Sequence, residues 1–182
     1  SEDDVKRLMN GQKADMVFTD PPYGVNYEGI KNDEPEQLEK LLNKAFANYS
    51  KVLFENFGDR VKYWLTINEQ NMMILHGSAL GLVPNDSANP MKDLYQSNHH
   101  MLLAQAKAMK LCHEMFPNAK IGPAPNISTV YPASSKPEDI TASQNWNAIR
   151  NWLYLDMAVY GRYNNIAWSY LEEKNALPDI SE

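Results

Sequence analysis

Strand-like and helix-like stretches alternate along this chain, and that alternation restricts the fold more than any single motif does. Residues 14–19 carry Val17 and Phe18 ahead of Pro21-Pro22 and read as a short buried strand. Pro35 suits the first turn of a helix. Leu38, Leu41, Leu42, Ala45, Phe46, Tyr49, Val52 and Leu53 then recur at helical spacing, up to a stop at Gly58. Residues 60–67 are aromatic and β-branched and read as a second strand. Asn89-Pro90 pairs a cap with a first-turn proline. The helix it opens carries Leu94, Met101, Leu102, Ala108, Met109, Cys112 and Met115, and it closes before Pro117. Residues 120–128 read as a third strand. Residues 139–161 read as one long helix with Trp146, Ile149, Trp152, Leu153 and Met157 on its apolar side, and residues 164–174 as a last helix. This order predicts an α/β fold of parallel strands with right-handed crossover helices. Three strands are too few to close an eight-stranded barrel. The expected architecture is an incomplete (β/α) barrel-like sheet or a small three-layer unit.

Composition narrows the function. The chain has 182 residues, 43% hydrophobic and 22% charged, which suits one domain spanning 1–182. Its net charge of −6 argues against a nucleic-acid partner held through phosphates. Cys112 is the only cysteine, so neither an intrachain disulfide nor a cysteine zinc cluster is available. A lone thiol fits a reducing, cytoplasmic setting. No apolar run approaches the roughly 18 residues of a membrane span. No histidine pair has ligand spacing with a matching carboxylate, so no metal is expected, and His76, His99, His100 and His113 read as structural or exposed. The chain begins "SEDD" without a methionine and reads as a fragment or a processed product.

Two stretches suggest chemistry. The first is "VFTDPPYGVNY", residues 17–27. Two prolines hold the backbone extended after a strand. The Asp20 carboxylate and the Pro21 carbonyl can then face one pocket as acceptors for an exocyclic amine, with Tyr23 as a flat stacking surface. The segment Asp20, Pro21, Pro22, Tyr23 resembles motif four of the amino-methyltransferases, and the similarity runs over residues 1–52. That resemblance implies methylation of adenine N6 or cytosine N4 in DNA with S-adenosylmethionine. Such enzymes bind the cofactor on a glycine-rich turn of the FxGxG kind. The eight glycines here are scattered, so no cofactor is expected and the motif reads as a sign of ancestry.

The second stretch is "YWLTINEQ", residues 63–70. Together with "VLFENFGDRVKYWLTINEQNMMILHGSALG" and "HHMLLAQAKAMKLCHEMFPNAKIGPAPNISTVYPAS", it resembles glycoside hydrolase family 1 over residues 53–182. The "TINEQN" form is similar to the 6-phospho-β-glucosidase branch. The resemblance implies hydrolysis of β-glucosides or 6-phospho-β-glucosides. Glu69 would be the general acid/base and Asn68 the ligand of the sugar 2-hydroxyl. It also implies a retaining reaction, which needs a second carboxylate about 5–5.5 Å away. The family's nucleophile lies in a Thr-Glu-Asn-Gly-like motif that the chain lacks, so the chain is expected to be inactive alone. The bland alternative makes Glu69 a carboxylate capping the helix that follows it.

Taken together, the two resemblances predict a chimera joined inside the helix near residues 48–58, with uncovered sheet edges that favour self-association. A non-catalytic chimeric scaffold is the remaining alternative. If their strands are parallel neighbours about 4.8 Å apart, Asp20 and Glu69 would share one rim.

Overall fold

The computed structural model describes residues 7, 10, 46–84 and 86–180. The strand expected at residues 14–19, the Asp20–Tyr23 segment and the start of the helix expected from Pro35 lie outside the described residues.

The described part is α/β, as expected. Helix α1, Ala47–Phe57, leads into strand β1, Tyr63–Asn68. A short helix α2, Gln70–Leu75, follows at once, and then the long helix α3, Pro90–Met115. Strand β2, Lys120–Ala124, pairs with β1 in parallel. Helix α4, Pro137–Asn147, runs through a π-helical turn at Ala148–Trp152 into α5, Leu153–Tyr160, and α6, Asn165–Glu173, completes the order.

Local chemistry explains most of these limits. Asn89 caps α3 by accepting the Lys92 N–H at 3.1 Å, one residue ahead of Pro90. Asn164 caps α6 in the same way, accepting the N–H groups of Ile166 and Ala167. Gly161 ends α5 in the left-handed conformation that only glycine adopts cheaply. Strand β2 stops at Ala124, short of the expected residue 128. Pro123 and Pro125 have no N–H to give the ladder, so pairing cannot run on.

Gly58 does end α1, but as a right-handed residue (φ −62°), not a left-handed cap. Its reason is space: a Cβ there would stand 2.0 Å from the Phe116 ring. Gly58→Ala is therefore expected to cost about 1–3 kcal/mol of stability by overpacking. Urea unfolding of Gly58→Ala beside Gly58→Ala/Phe116→Leu checks it, because the smaller partner should recover most of the loss.

The sheet is bulged next to its end. Leu65 pairs with Gly122, but Asn68 pairs with Ala124, so β1 carries one extra residue between them. Consecutive residues can then face the same side. Thr66 donates to Gln105 of α3 at 2.9 Å, and Ile67 packs on Met101 and Ala104 of the same helix. The opposite face is open: Tyr63 and Leu65 are 79% and 75% exposed, and a Cβ on Gly122 would meet nothing.

The main core joins α2, α3, the π-helical turn, α5 and α6 through Ile74, Tyr95, Leu102, Ile149, Leu153, Tyr154 and Leu171. A smaller cluster sits under the sheet, where Phe54 of α1 meets Trp64 edge-to-face at 5.0 Å beside the buried Cys112. The single long helix expected over residues 139–161 needs correcting. It starts at Pro137 and is widened at Ala148–Trp152, where the Leu153 N–H reaches back five residues to the Ala148 carbonyl. The extra residue shifts the helical phase. Trp146 and Trp152 are therefore about half exposed, while Ala148, Ile149, Asn151, Leu153 and Tyr154 are buried.

His99, on α3, is buried and stacks on Tyr163, with Nδ1 2.9 Å from the phenol oxygen. Burial, and secondarily the neighbouring His100, lower its pKa. The unfolded chain, near the ordinary value of about 6.5, binds that proton more readily. Stability from His99 is thus complete above about pH 6.5 and falls as pH drops below it. The urea midpoint should decline between neutral pH and the acid side of this window, and His99→Phe should flatten the decline.

Candidate active site

The functional candidates gather where both strands end. Glu69 follows β1 directly and is in a left-handed conformation, φ 48° and ψ 37°. For a residue with a side chain this costs on the order of 1 kcal/mol or more, and surrounding bonds must hold it. They do: its N–H donates to the Ala124 carbonyl at 2.9 Å, and its own carbonyl accepts from Met72 and Met73. Glu69 does stand at the N-cap position of α2, but its side chain makes no capping bond there. Its Oε1 instead accepts a hydrogen bond from Asn126 Nδ2 at 2.7 Å. Left-handed backbone at Glu69 thus ends the strand while the carboxylate bonds across to the exit of β2.

Asn126 is itself held on several sides. Its N–H donates to Asn71 Oδ1 at 3.0 Å, and its carbonyl accepts from Asn71 Nδ2 at 2.9 Å. Asn71 is completely buried, and the same Nδ2 also reaches the Arg150 carbonyl at 2.9 Å. Two residues on, the buried Asn151 brackets Ser128, giving an N–H to its carbonyl at 2.8 Å and accepting its N–H at 3.3 Å. Arg150, within the π-helical turn, donates from Nη2 to Asn126 Oδ1 at 3.0 Å. A guanidinium only donates, so the Asn126 oxygen must face Arg150 and its NH2 must face Glu69. Arg150 Nε is buried with no partner among the described residues.

Asn68 is exposed, and its side chain makes no hydrogen bond among the described residues, which leaves its amide free beside Glu69. Asp20, Pro21, Pro22 and Tyr23, and with them the Asp20–Glu69 pairing, lie outside the described residues. Asn71, Asn126 and Arg150 were not singled out by sequence reasoning. The one available signal for Asn126 was its place just past a strand, after Pro123-Ala124-Pro125, at the same sheet end as Glu69. Among the described residues no group of three His, Cys, Asp or Glu could hold a metal, and no helix is long and apolar enough to cross a membrane.

The glycosyl hydrolase family 1 profile matches residues 29–182. The chain belongs to glycosyl hydrolase family 1. The family match starts ahead of the boundary expected at residue 53, so residues 29–52 fall inside it and residues 17–27 outside. Aryl-phospho-beta-D-glucosidase BglC of Bacillus subtilis is 42% identical over 135 residues, which are 74% of this chain and 28% of that protein. A 6-phospho-beta-glucosidase of Dickeya chrysanthemi is 38% identical over 144 residues, 78% of this chain and 30% of the relative. A family 1 glycoside hydrolase of Thermotoga maritima, solved with a cyclophellitol analogue transition state mimic, superposes with a TM-score of 0.67 at 31% identity. That match covers 90% of this chain and 35% of the solved one. The chain therefore spans about a third of the length of its relatives, and the two parallel strands with their helices are a piece of the family's barrel.

Proposed function

We propose that this chain supplies the acid/base half of a retaining β-glycosidase site for aryl or 6-phospho-β-glucosides. The observation that carries this reading is the Glu69 carboxylate, exposed at a strand end and bonded by Asn126 rather than spent on capping α2. In the first step Glu69 protonates the leaving oxygen, and in the second it takes a proton from water. Asn68 binds the neighbouring sugar hydroxyl. The family's nucleophile motif is not in the sequence, so the chain alone binds glycoside without turning it over. Phosphate on the sugar is favoured by the "TINEQN" sequence and by the printed functions of the two relatives above. The lone thiol of Cys112, buried and free, fits a cytoplasmic setting.

The test incubates the full chain with 4-nitrophenyl β-glucoside and its 6-phosphate. Saturable binding that shifts the amide signals of Asn68 and Glu69, without nitrophenol release, is the expected result. Release that falls about 10²–10⁴-fold in Glu69→Gln would keep the acid/base role and overturn the expected inactivity. Binding of neither glycoside sinks the reading.

A second reading treats residues 1–28 as methyltransferase-derived, because the family match leaves "VFTDPPYGVNY" outside it. Asp20, Pro21 and Tyr23 would then face a target amine. Saturable binding of S-adenosylmethionine is its test, and none is expected. A non-catalytic scaffold is what remains if both ligands fail to bind. Self-association through the open face of Tyr63 and Leu65 would appear as a concentration-dependent mass in sedimentation.

A further inference from the structure

We infer that Asn126 and Arg150 form a positioning relay that fixes which oxygen of Glu69 carries its proton. The inference rests on the acid/base reading of Glu69 and deepens it.

The argument is one of donors and acceptors. Arg150 has no acceptor atom, so its bond to Asn126 Oδ1 at 3.0 Å sets the amide's orientation. The amide nitrogen can then only donate, and it donates to Glu69 Oε1 at 2.7 Å. In a carboxylic acid the carbonyl oxygen is a better acceptor than the hydroxyl oxygen, so this bond favours the carbonyl form at Oε1. When Glu69 is protonated, the proton therefore belongs on Oε2. For a group that must give a proton in one step and take one in the next, a fixed oxygen means a fixed direction of transfer.

The supports of the relay are stiff. Asn71 clamps Asn126 through both its N–H and its carbonyl, and the same amide holds the Arg150 carbonyl. One buried side chain thus ties the strand exit to the π-helical turn. That turn is a rare geometry that tends to occur at functional sites. The buried and unpartnered Nε of Arg150 means its guanidinium is not fully satisfied elsewhere among the described residues, so it is not simply packed away as part of a complete ion pair. Asn126 and Arg150 act through Glu69; they are positioning residues, not catalytic ones.

The test is nuclear magnetic resonance of the labelled full chain, reading the Asn126 side-chain NH2 signals. In the wild type, these signals should move when acid protonates Glu69. In Glu69→Gln the amide keeps an acceptor, so the signals should persist but stop responding to pH. Arg150→Met should release the amide and speed its hydrogen exchange by about tenfold, while Arg150→Lys, which still donates, should restore much of the protection. A packing role alone would not give the pH response or its loss in Glu69→Gln. Signals that ignore pH in the wild type, or that titrate unchanged in Glu69→Gln, overturn the relay. Exchange in Arg150→Met equal to wild type overturns the role of Arg150. The acid/base reading stands or falls on the glycoside test above, so failure of either is recognised separately.

Discussion

Replacing Leu153 by alanine is expected to lower the unfolding free energy by about 3 kcal/mol. Leu153 is fully buried and opens α5 immediately after the π-helical turn. It packs in the main core with Ile74, Leu102, Tyr154 and Leu171, residues drawn from α2, α3, α5 and α6. Removing its isobutyl group loses apolar burial and leaves a cavity that four converging helices cannot readily fill. Urea unfolding is the check: the midpoint should fall while the slope stays constant. Val159, on the same helix and 70% exposed, is the control, and Val159→Ala should change stability by less than about 0.5 kcal/mol. A Leu153→Ala loss below about 1 kcal/mol would mean that the helices repack freely.

Asn71→Ala is expected to cost a similar amount, about 2–4 kcal/mol, for a different reason. The substitution opens little volume. It removes an acceptor from the Asn126 N–H and a donor from the carbonyls of Asn126 and Arg150, all at a site where Asn71 itself is completely buried. Unpaired polar groups in such a place cost more than the bonds contributed. The loss should be local as well as global. Backbone hydrogen exchange at residues 126–128 should rise in Asn71→Ala and stay unchanged in Leu153→Ala under conditions where both are folded. Exchange that rises equally in the two variants would refute Asn71 as a clamp on the strand exit.

The parts of the fold legible in the sequence are those decided by neighbours along the chain. Asn89-Pro90 marked the start of α3, and Asn164 and Gly161 marked helix limits, because a cap or a left-handed glycine acts within a few residues. The β1 and β2 strands were legible from their composition, and the end of β2 could have been placed better by counting the missing N–H groups of Pro123 and Pro125. What stayed hidden depends on contacts between distant segments. Gly58 looked like a helix cap, but the Phe116 ring that forbids a side chain there comes from the far end of α3. Trp146 and Trp152 looked like core residues because a regular helix was assumed. Glu69 was singled out as a candidate through its sequence motif. Its partner Asn126 was not, since the two meet only when β1 and β2 pair, and no local pattern marks an asparagine that will face a carboxylate 57 positions away.

The widened turn at Ala148–Trp152 also ties the residue count of this helical stretch to the packing on either side of it. Deleting one residue from α4 would let the turn tighten to ordinary helix; the helix beyond the turn would keep its phase, while the residues between the deletion and the turn would rotate by about 100°. Leu153 and Tyr154 could then keep their places in the core only if Arg150 and Asn151 swung away from the strand exit, or the reverse. Glu138, Thr141 and Gln144 are exposed on that helix, and their identities are free to drift. The number of residues between Pro137 and Gly161 is not, so insertions and deletions should be far rarer there than substitutions.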